Sequence, residues 1–532
     1  MDFQPAIGQK LLLAFKGKDR PSDEIRRALR DYQPAGISLF RSFNIDDSAQ
    51  LRALTDSLQR LARTFGLPPL LIATDQEGGQ LMAVGDGTLL PGNMALGAAG
   101  SPDLARRAGE VLGREMAAVG VNVDYAPCVD VNVNPQNPVV GVRSFGEVPQ
   151  LVARLGAAMI AGIQSQGVAA TAKHFPGHGD TASDSHLGLP TVPHGLERLQ
   201  AVEFPPFRAS IQADVKLVMS AHVGLPAIDG PQAPPATLSK NILGGILRRD
   251  LGFEGVIVTD ALDMHAIRQG DLLGADAVRA ANAGADLLLV TSDPQDHQRV
   301  YAALTQAVQD GTLAQVDLFA SAQRVLALKQ WLVSGPGQPD LSVIRSAGHE
   351  EVAREAAEAS ITLVRDRTGI VPLRLTSEQT IAVIVPRPLD LTPADTSSYI
   401  TPKLAEALRE FHPRVDEFIV PHAPQASDIA ALVGRMGAYN LIVVGTLNAC
   451  QQIGQAALVR ELLKTQIPTV TAALRLPYDL MAFPEAPTYL CTYSILEPSM
   501  RALAKVLFGR LQAHGKLPVS IPGLYAAGYC HS

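Results

Sequence analysis

The chain has 532 residues, is 47% hydrophobic and 5% aromatic, and carries a formal net charge of −7 at neutral pH. Apolar content at this level supports a large buried core and excludes disorder over most of the length. The mildly acidic balance, without a long basic run, excludes a nucleic-acid partner held through its phosphates.

The N-terminal stretch "MDFQPAIGQKLLLAFKGKDR" holds an apolar run too short and too late for a signal peptide, and Asp2 has the wrong charge for the start of one. A cytoplasmic protein is expected. No membrane partner is expected either, because no stretch reaches the ~18 apolar residues of a spanning helix. Cys128, Cys450, Cys491 and Cys530 are scattered and form no CxxC pair, which argues against a disulfide framework and a structural zinc, though one bridge among the last three stays open.

Eight short apolar runs follow one another through the first two-thirds of the chain. They are "KLLLAFKG" (10–17), "GISLF" (36–40), "LLIATD" (70–75), "VNVDYAP" (121–127), "AATAKHF" (169–175), "VKLVMSA" (215–221), "GVIVTD" (255–260) and "ADLLLV" (285–290). Each is continuous rather than alternating, as in strands buried on both faces. Amphipathic stretches such as "DLARRAGEVLGREMAAVG" (103–120) separate them. Eight strands, each with a helix after it, predict a (β/α)8 barrel. The alternative is an open doubly wound sheet, but the GxGxxG turn that usually marks one is missing after the early strands.

The texture changes at the Gly/Pro-rich stretch near 334–340, which reads as a linker. Helical "GHEEVAREAAEASITLV" comes next. Strand-like "TIAVIVP" (380–386), "VDEFIV" (415–420), "LIVVGTLNA" (441–449), "TVTAALRL" (469–476) and "TYLCTYS" (488–494) follow, with helical patterns between. The expected division is a barrel over 1–333, a linker with a helix over 334–358, and a smaller α/β sandwich domain over 359–532.

Chemistry in a barrel collects at the C-terminal ends of the strands. The apolar runs end in Asp75, in Asp124, in Lys173 with His174, just before His222, and in Asp260. Any one of these aspartates could be an ordinary helix N-cap. Capping does not account for the set, because lysine and histidine are not capping residues. The glycines of "TDQEGGQ" (74–80) let backbone approach a ligand closely. Arg143 stands in the Pro/Gly-framed "NPVVGVRSFG" (137–146), where its fork suits hydroxyl or carbonyl oxygens or, equally, open solvent. Asp260 is open to three roles: metal ligand, base or nucleophile.

"KHFPGHGDTASDSH" (173–186) holds three histidines, two aspartates and a lysine. Zinc ligation usually fixes its ligand spacing on a helix, as in HExxH, whereas glycine, proline and small polar residues separate these histidines. In "DSH", Asp184 and His186 stand two apart and share a face if the segment is extended. A carboxylate on an imidazole fixes its tautomer and stabilises its cation, and such a pair serves as general acid and base near neutral pH.

"KHFPGHGDTASDSH", "DQEGG", "RSFGE" and "VTDALDM" together resemble the signature segments of glycoside hydrolase family 3, and within it the β-N-acetylhexosaminidases. The resemblance runs in order over residues 7–330. It continues more weakly through "ASITLVRD" (359–366) and "GKLPVSIP" (515–522). It implies a TIM barrel and a retaining mechanism on terminal N-acetyl-β-glucosaminides. Asp260 resembles the nucleophile and His186 the acid/base with Asp184 as partner, while Asp75, Arg143, Lys173 and His174 fall where the family binds the sugar. No metal and no cofactor are implied. The implied partner is a small oligosaccharide with β-linked N-acetylglucosamine, such as a fragment from cell-wall recycling. A phosphorylase, a β-glucosidase-like enzyme, a metal-dependent barrel hydrolase and a non-catalytic carbohydrate-binding protein are the alternatives. One departure stands out: Gln80 occupies the place where the family usually has arginine. The second domain is expected to be structural or to shape the cleft.

Overall fold

The computed structural model describes residues 3–182, 188–268 and 270–531. Strands β1 (Leu11–Leu13), β2 (Gly36–Ser38) and β3 (Leu71–Thr74) lead the first sheet. A small hairpin, β4 (Gln76–Gly78) and β5 (Leu81–Met82), comes next in the chain. The first sheet then continues through β6 (Val123–Asp124), β7 (Ala169–Phe175), β8 (Leu217–Ser220), β9 (Val256–Thr259) and β10 (Leu288–Val290). Its eight strands run β10-β1-β2-β3-β6-β7-β8-β9, all parallel. A bridge between Val258 and Leu287 joins β9 to β10 and closes the barrel. Every one of the eight apolar runs holds a strand, and each barrel strand residue is buried.

Helices return the chain after every strand, from Asp23–Tyr32 behind β1 to Pro294–Gln309 behind β10. Their starts are locally encoded. Ser22 Oγ accepts from Ile25 N at 3.3 Å and Asp47 Oδ1 from Gln50 N at 2.8 Å, each satisfying a first-turn amide. Inside the barrel, Leu12, Leu71, Val123, Leu217, Val256 and their neighbours form one apolar cluster. Val325 and Leu328 of the helix Gln315–Val333 pack into it.

The second sheet comprises β11 (Thr362–Asp366), β12 (Ile381–Pro386), β13 (Val415–Val420), β14 (Leu441–Thr446), β15 (Thr469–Ala473) and β16 (Thr488–Cys491). The order is β11-β16-β15-β14-β12-β13, parallel except where β11 runs against β16. Ala382 and Ile384 of β12 join one apolar cluster; Ile381, Val383 and Val385 join the other, so both faces of the sheet are covered. The helical reading through "SITLV" fails here. The helix Ala347–Ser360 stops, and Thr362–Asp366 becomes an edge strand. Its β-branched Ile361, Thr362 and Val364 favour an extended chain, and pairing with β16 satisfies the backbone. Val352, Ala353 and Ala356 of that helix belong to the barrel's main core and Ala357 to the second sheet's, so one helix joins the two units. No helix among the described residues is long and apolar enough to cross a membrane.

Candidate active site

The C-terminal mouth of the barrel opens into a cavity of about 440 Å3. Asp75, Arg143, Lys173, His174 and Asp260 all line it, although they come from four separate βα loops and strand ends. Asp184 and His186 lie outside the described residues. On either side of that segment, Asp180 Oδ2 and His194 Nε2 pair at 2.7 Å.

β7 delivers Lys173 and His174 together. Adjacent residues of a regular strand point to opposite faces. Here Ala172 and Phe175 pair with Val218 and Ser220 of β8, three steps on one strand against two on the other. This bulge re-aims the strand and lets both neighbours line the cavity. Lys173 Nζ lies 2.6 Å from Asp75 Oδ1 and 2.7 Å from Glu77 Oε1. Asp75 keeps a quarter of its side chain exposed to the cavity (25%), while Lys173 is buried.

Glu77 was not singled out from the sequence, yet it is the hub of the site. It sits on β4 just after Asp75. Arg143 grips it with Nε to Oε2 at 3.0 Å and Nη2 to Oε1 at 2.7 Å. Burial pushes this carboxyl up, but the facing Arg143 and Lys173 charges outweigh it and hold it at about 2. Burial in turn opposes the Lys173 charge, and the Asp75 and Glu77 carboxylates overcome that and hold it above its ordinary value. The two glycines after Glu77 make the hairpin turn with φ of +79° and +63°. A side chain on Gly79 would come within 2.9 Å of Gly92 Cα, so the close approach requires glycine.

Asp130 is the second acid that sequence reasoning passed over. Its Oδ2 meets His174 Nδ1 at 2.7 Å and its Oδ1 accepts from His178 N at 2.7 Å. Burial would raise the Asp130 carboxyl. The His174 and His178 imidazoles and the His178 amide outweigh that and hold it well below the usual carboxylate range. His174 is thereby oriented, with Nε2 3.4 Å from Arg143 Nη2. His178 is pushed down to about 4 by burial. Cys128, Asp130 and His174 are the one group among the described residues whose donor atoms could gather a metal. Their atoms are already used on one another, since Cys128 Sγ donates to Asp130 Oδ2 at 3.3 Å and burial holds the thiol well above its ordinary pKa. A protonated thiol and a hydrogen-bonded carboxylate make a poor ligand set.

Two of the strand-end residues lie away from the cavity wall. Asp124 is fully buried beneath it, its carboxyl pushed well up by burial, and it supports the hairpin by accepting from Gln76 N at 3.0 Å. His222 Nε2 meets Ala261 O at 2.9 Å and braces the turn that presents Asp260. Gln80 turns toward the second sheet. Its Oε1 accepts from Arg475, and its Nε2 donates to Ala394 O at 3.1 Å. The segment from Asp390 to Tyr399 of the second unit forms an outer wall of the same cavity.

The family model described as "Glycosyl hydrolase family 3 N terminal domain" matches residues 5–328. The chain belongs to glycoside hydrolase family 3. It is a glycoside hydrolase on the family's two-part architecture. Beta-hexosaminidase A of Pseudoalteromonas piscicida is 31% identical, over 97% of this chain and 96% of that protein. A solved glycoside hydrolase family 3 beta-N-acetylglucosaminidase from Paenibacillus sp. str. FPU-7 superposes with a TM-score of 0.91 at 38% identity, covering 98% of this chain and 99% of that one. A beta-glucoside phosphorylase superposes with a TM-score of 0.83 at 25% identity, covering 98% and 95%.

Proposed function

We propose that this family 3 glycosidase is a retaining β-N-acetylhexosaminidase that releases terminal non-reducing N-acetylglucosamine from β-linked oligosaccharides. The observation that carries the reading is the position of Asp260 at the end of β9. It lines one cavity with Asp75, Arg143, Lys173 and His174. Likeness over nearly the whole chain to proteins named as hexosaminidase and N-acetylglucosaminidase supports the sugar.

In this reading, the Asp260 carboxylate attacks the anomeric carbon and the bond to the leaving oxygen breaks, giving a covalent glycosyl-enzyme. His186 protonates the leaving oxygen, then takes a proton from the water that hydrolyses the intermediate, with Asp184 orienting the ring. The Asp75 carboxylate accepts from sugar hydroxyls. Lys173, Arg143 and His174 donate to sugar oxygens at positions fixed by Glu77 and Asp130. A mechanism-based fluoro-sugar bearing the N-acetyl group should label Asp260, read by mass spectrometry of the peptide. Label on Asp75 or Asp263 would overturn the assignment.

Phosphate as acceptor is the second reading. An acid/base that is neutral in its basic form does not repel an approaching anion as a carboxylate does, and the superposed phosphorylase supports weighing it. Product analysis with and without phosphate decides: glycosyl phosphate against free sugar.

A further inference from the structure

The outer half of the cavity is built by both units of the chain. Arg41 and Phe43 follow β2 on the barrel side; Thr392 and Tyr399 face them from the segment after β12. Tyr399 is 57% exposed, a large aromatic left open in a chain with only 5% aromatic residues. The Arg41 guanidinium stacks on one face of its ring, with Cζ 4.1 Å from the centroid. Arg41 is itself fixed by Nη1 donating to Met82 O at 3.0 Å.

Tyr399 is also held in register with the inner site. Thr396 N and Oγ1 both donate to Gln80 O at 2.8 Å, and Met82 N donates to Thr396 Oγ1 at 3.2 Å. Arg475 pairs with Asp395 at 2.8 Å behind them. Gln80 and Met82 lie on the returning arm of the hairpin whose first strand follows Asp75. The contacts that seat the segment therefore run through the element that carries the inner carboxylates. Thr392 is nine-tenths buried, and its Oγ1 has no hydrogen-bond partner among the described residues.

We propose that this Arg41–Tyr399 platform binds the leaving-group sugar of an oligosaccharide, the residue that follows the N-acetylglucosamine being cleaved. A pyranose presents an axial C–H face that covers an aromatic ring, and its rim of hydroxyls suits neighbouring polar groups such as the Thr392 hydroxyl and the Tyr399 phenol. A pre-held ring costs little ordering on binding, because the guanidinium and the hairpin already fix it. The site makes this enzyme favour oligosaccharides over glycosides with small leaving groups. The inference rests on the glycosidase reading above.

The test compares methyl N-acetyl-β-glucosaminide, which ends at the cleaved bond, with the β-1,4-linked trisaccharide of N-acetylglucosamine, on wild type, Tyr399→Ala and Tyr399→Phe. Tyr399→Ala should lower kcat/KM for the trisaccharide by about tenfold, chiefly through KM, and leave the methyl glycoside within about twofold. Tyr399→Phe should retain most of the trisaccharide activity, since it keeps the ring. An unchanged trisaccharide rate in Tyr399→Ala, or equal losses on both substrates, would overturn the platform while leaving the glycosidase reading intact. Failure of the wild type on both substrates would instead overturn that reading and the platform with it.

Discussion

Arg143 and Glu77 meet as a two-pronged buried ion pair, at 3.0 and 2.7 Å, with side chains 3% and 2% exposed. The same Glu77 oxygen also receives Lys173 at 2.7 Å. One carboxylate thus bridges two cations at the cavity wall, and Asp75 supplies the second negative charge. Asp75 shares Lys173 and keeps part of its surface toward the cavity. This pairing explains how the cavity wall can hold so many ionised groups. Each is paired before substrate arrives, so binding need not desolvate a lone charge.

Glu77→Gln should destabilise the fold by about 3–5 kcal/mol, the usual cost of removing one partner from a buried pair. The amide leaves the Arg143 fork half satisfied and Lys173 with Asp75 alone. The sign with pH follows from the depressed carboxyl, held at about 2. Its stabilisation is complete above the unfolded value of about 4.3 and is lost as pH falls through about 2. Urea unfolding at neutral pH checks the magnitude; an unchanged midpoint would remove Glu77 from its central role.

His178 adds a second loss of stability on acidification, in a higher pH window. Burial lowers it to about 4 in the folded chain, while the unfolded chain titrates near 6.5. Between these values the unfolded state binds a proton that the folded state refuses. Stability therefore falls as pH drops through that window, by on the order of 3 kcal/mol in all. In His178→Asn the amide can still reach Thr181 Oγ1, which His178 Nδ1 meets at 2.8 Å. That variant should show a shallower loss between pH 6.5 and 4. Parallel stability curves for the two proteins would contradict the assignment.

The barrel was legible because strands buried on both faces leave unbroken apolar runs, and "GISLF" or "GVIVTD" has no other simple reading. β11 was not legible. Its residues continue a helical spacing, and their β-branched side chains favour extension only weakly until pairing with β16, far along the chain, decides the strand. The site divides in the same way. Asp75, Lys173, His174 and Asp260 end apolar runs and could be found by position. Glu77 and Asp130 lie two and three residues beyond such ends, and their importance comes from partners 44 to 96 positions distant in sequence. A charged residue directly before two glycines in "DQEGG" was the available signal for Glu77. Nothing local in "PCVDV" marks Asp130. The contact of Gln80 with Arg475 spans 395 positions and belongs to tertiary structure alone.

Asp260→Ala should abolish hydrolysis, by about 10³-fold or more, without unfolding the protein. Asp260 is only partly buried, and its carboxylate accepts from the adjacent Ala261 amide at 2.8 Å, a local contact within one turn. The cavity left behind admits a small anion. Azide attacking from the vacated side of an activated aryl glycoside should give the α-configured glycosyl azide. Circular dichroism establishes the fold and nuclear magnetic resonance the product. A β-configured product would place the missing nucleophile elsewhere.

Activity should survive dialysis against a strong chelator. The Cys128, Asp130 and His174 donors are engaged with one another, and the proposed chemistry needs only proton transfers and a carboxylate. Loss of turnover restored by added zinc would sink the acid/base pair and turn attention to this cluster as a metal centre.

His186 should serve as acid in the first step and base in the second, with Asp184 orienting it. His186→Ala removes both roles, and general acid–base catalysis is worth roughly 10²- to 10⁴-fold. The first-step loss should be small for aryl glycosides with very good leaving groups, which depart with little protonation. It should be large for natural disaccharides, whose leaving oxygen must receive a proton. Asp184→Asn should follow the same pattern, because an amide does not stabilise the imidazolium as a carboxylate does. Where breakdown of the glycosyl-enzyme limits turnover, azide should partly rescue His186→Ala, since an anionic nucleophile needs no base, and here the product keeps the β configuration. A leaving-group series on both variants, with and without azide, measures all of this. Equal losses across leaving groups with no azide response would mean that His186 only positions substrate. The acid would then have to be sought across the cavity, on the segment from Asp390 to Tyr399 that the second unit contributes.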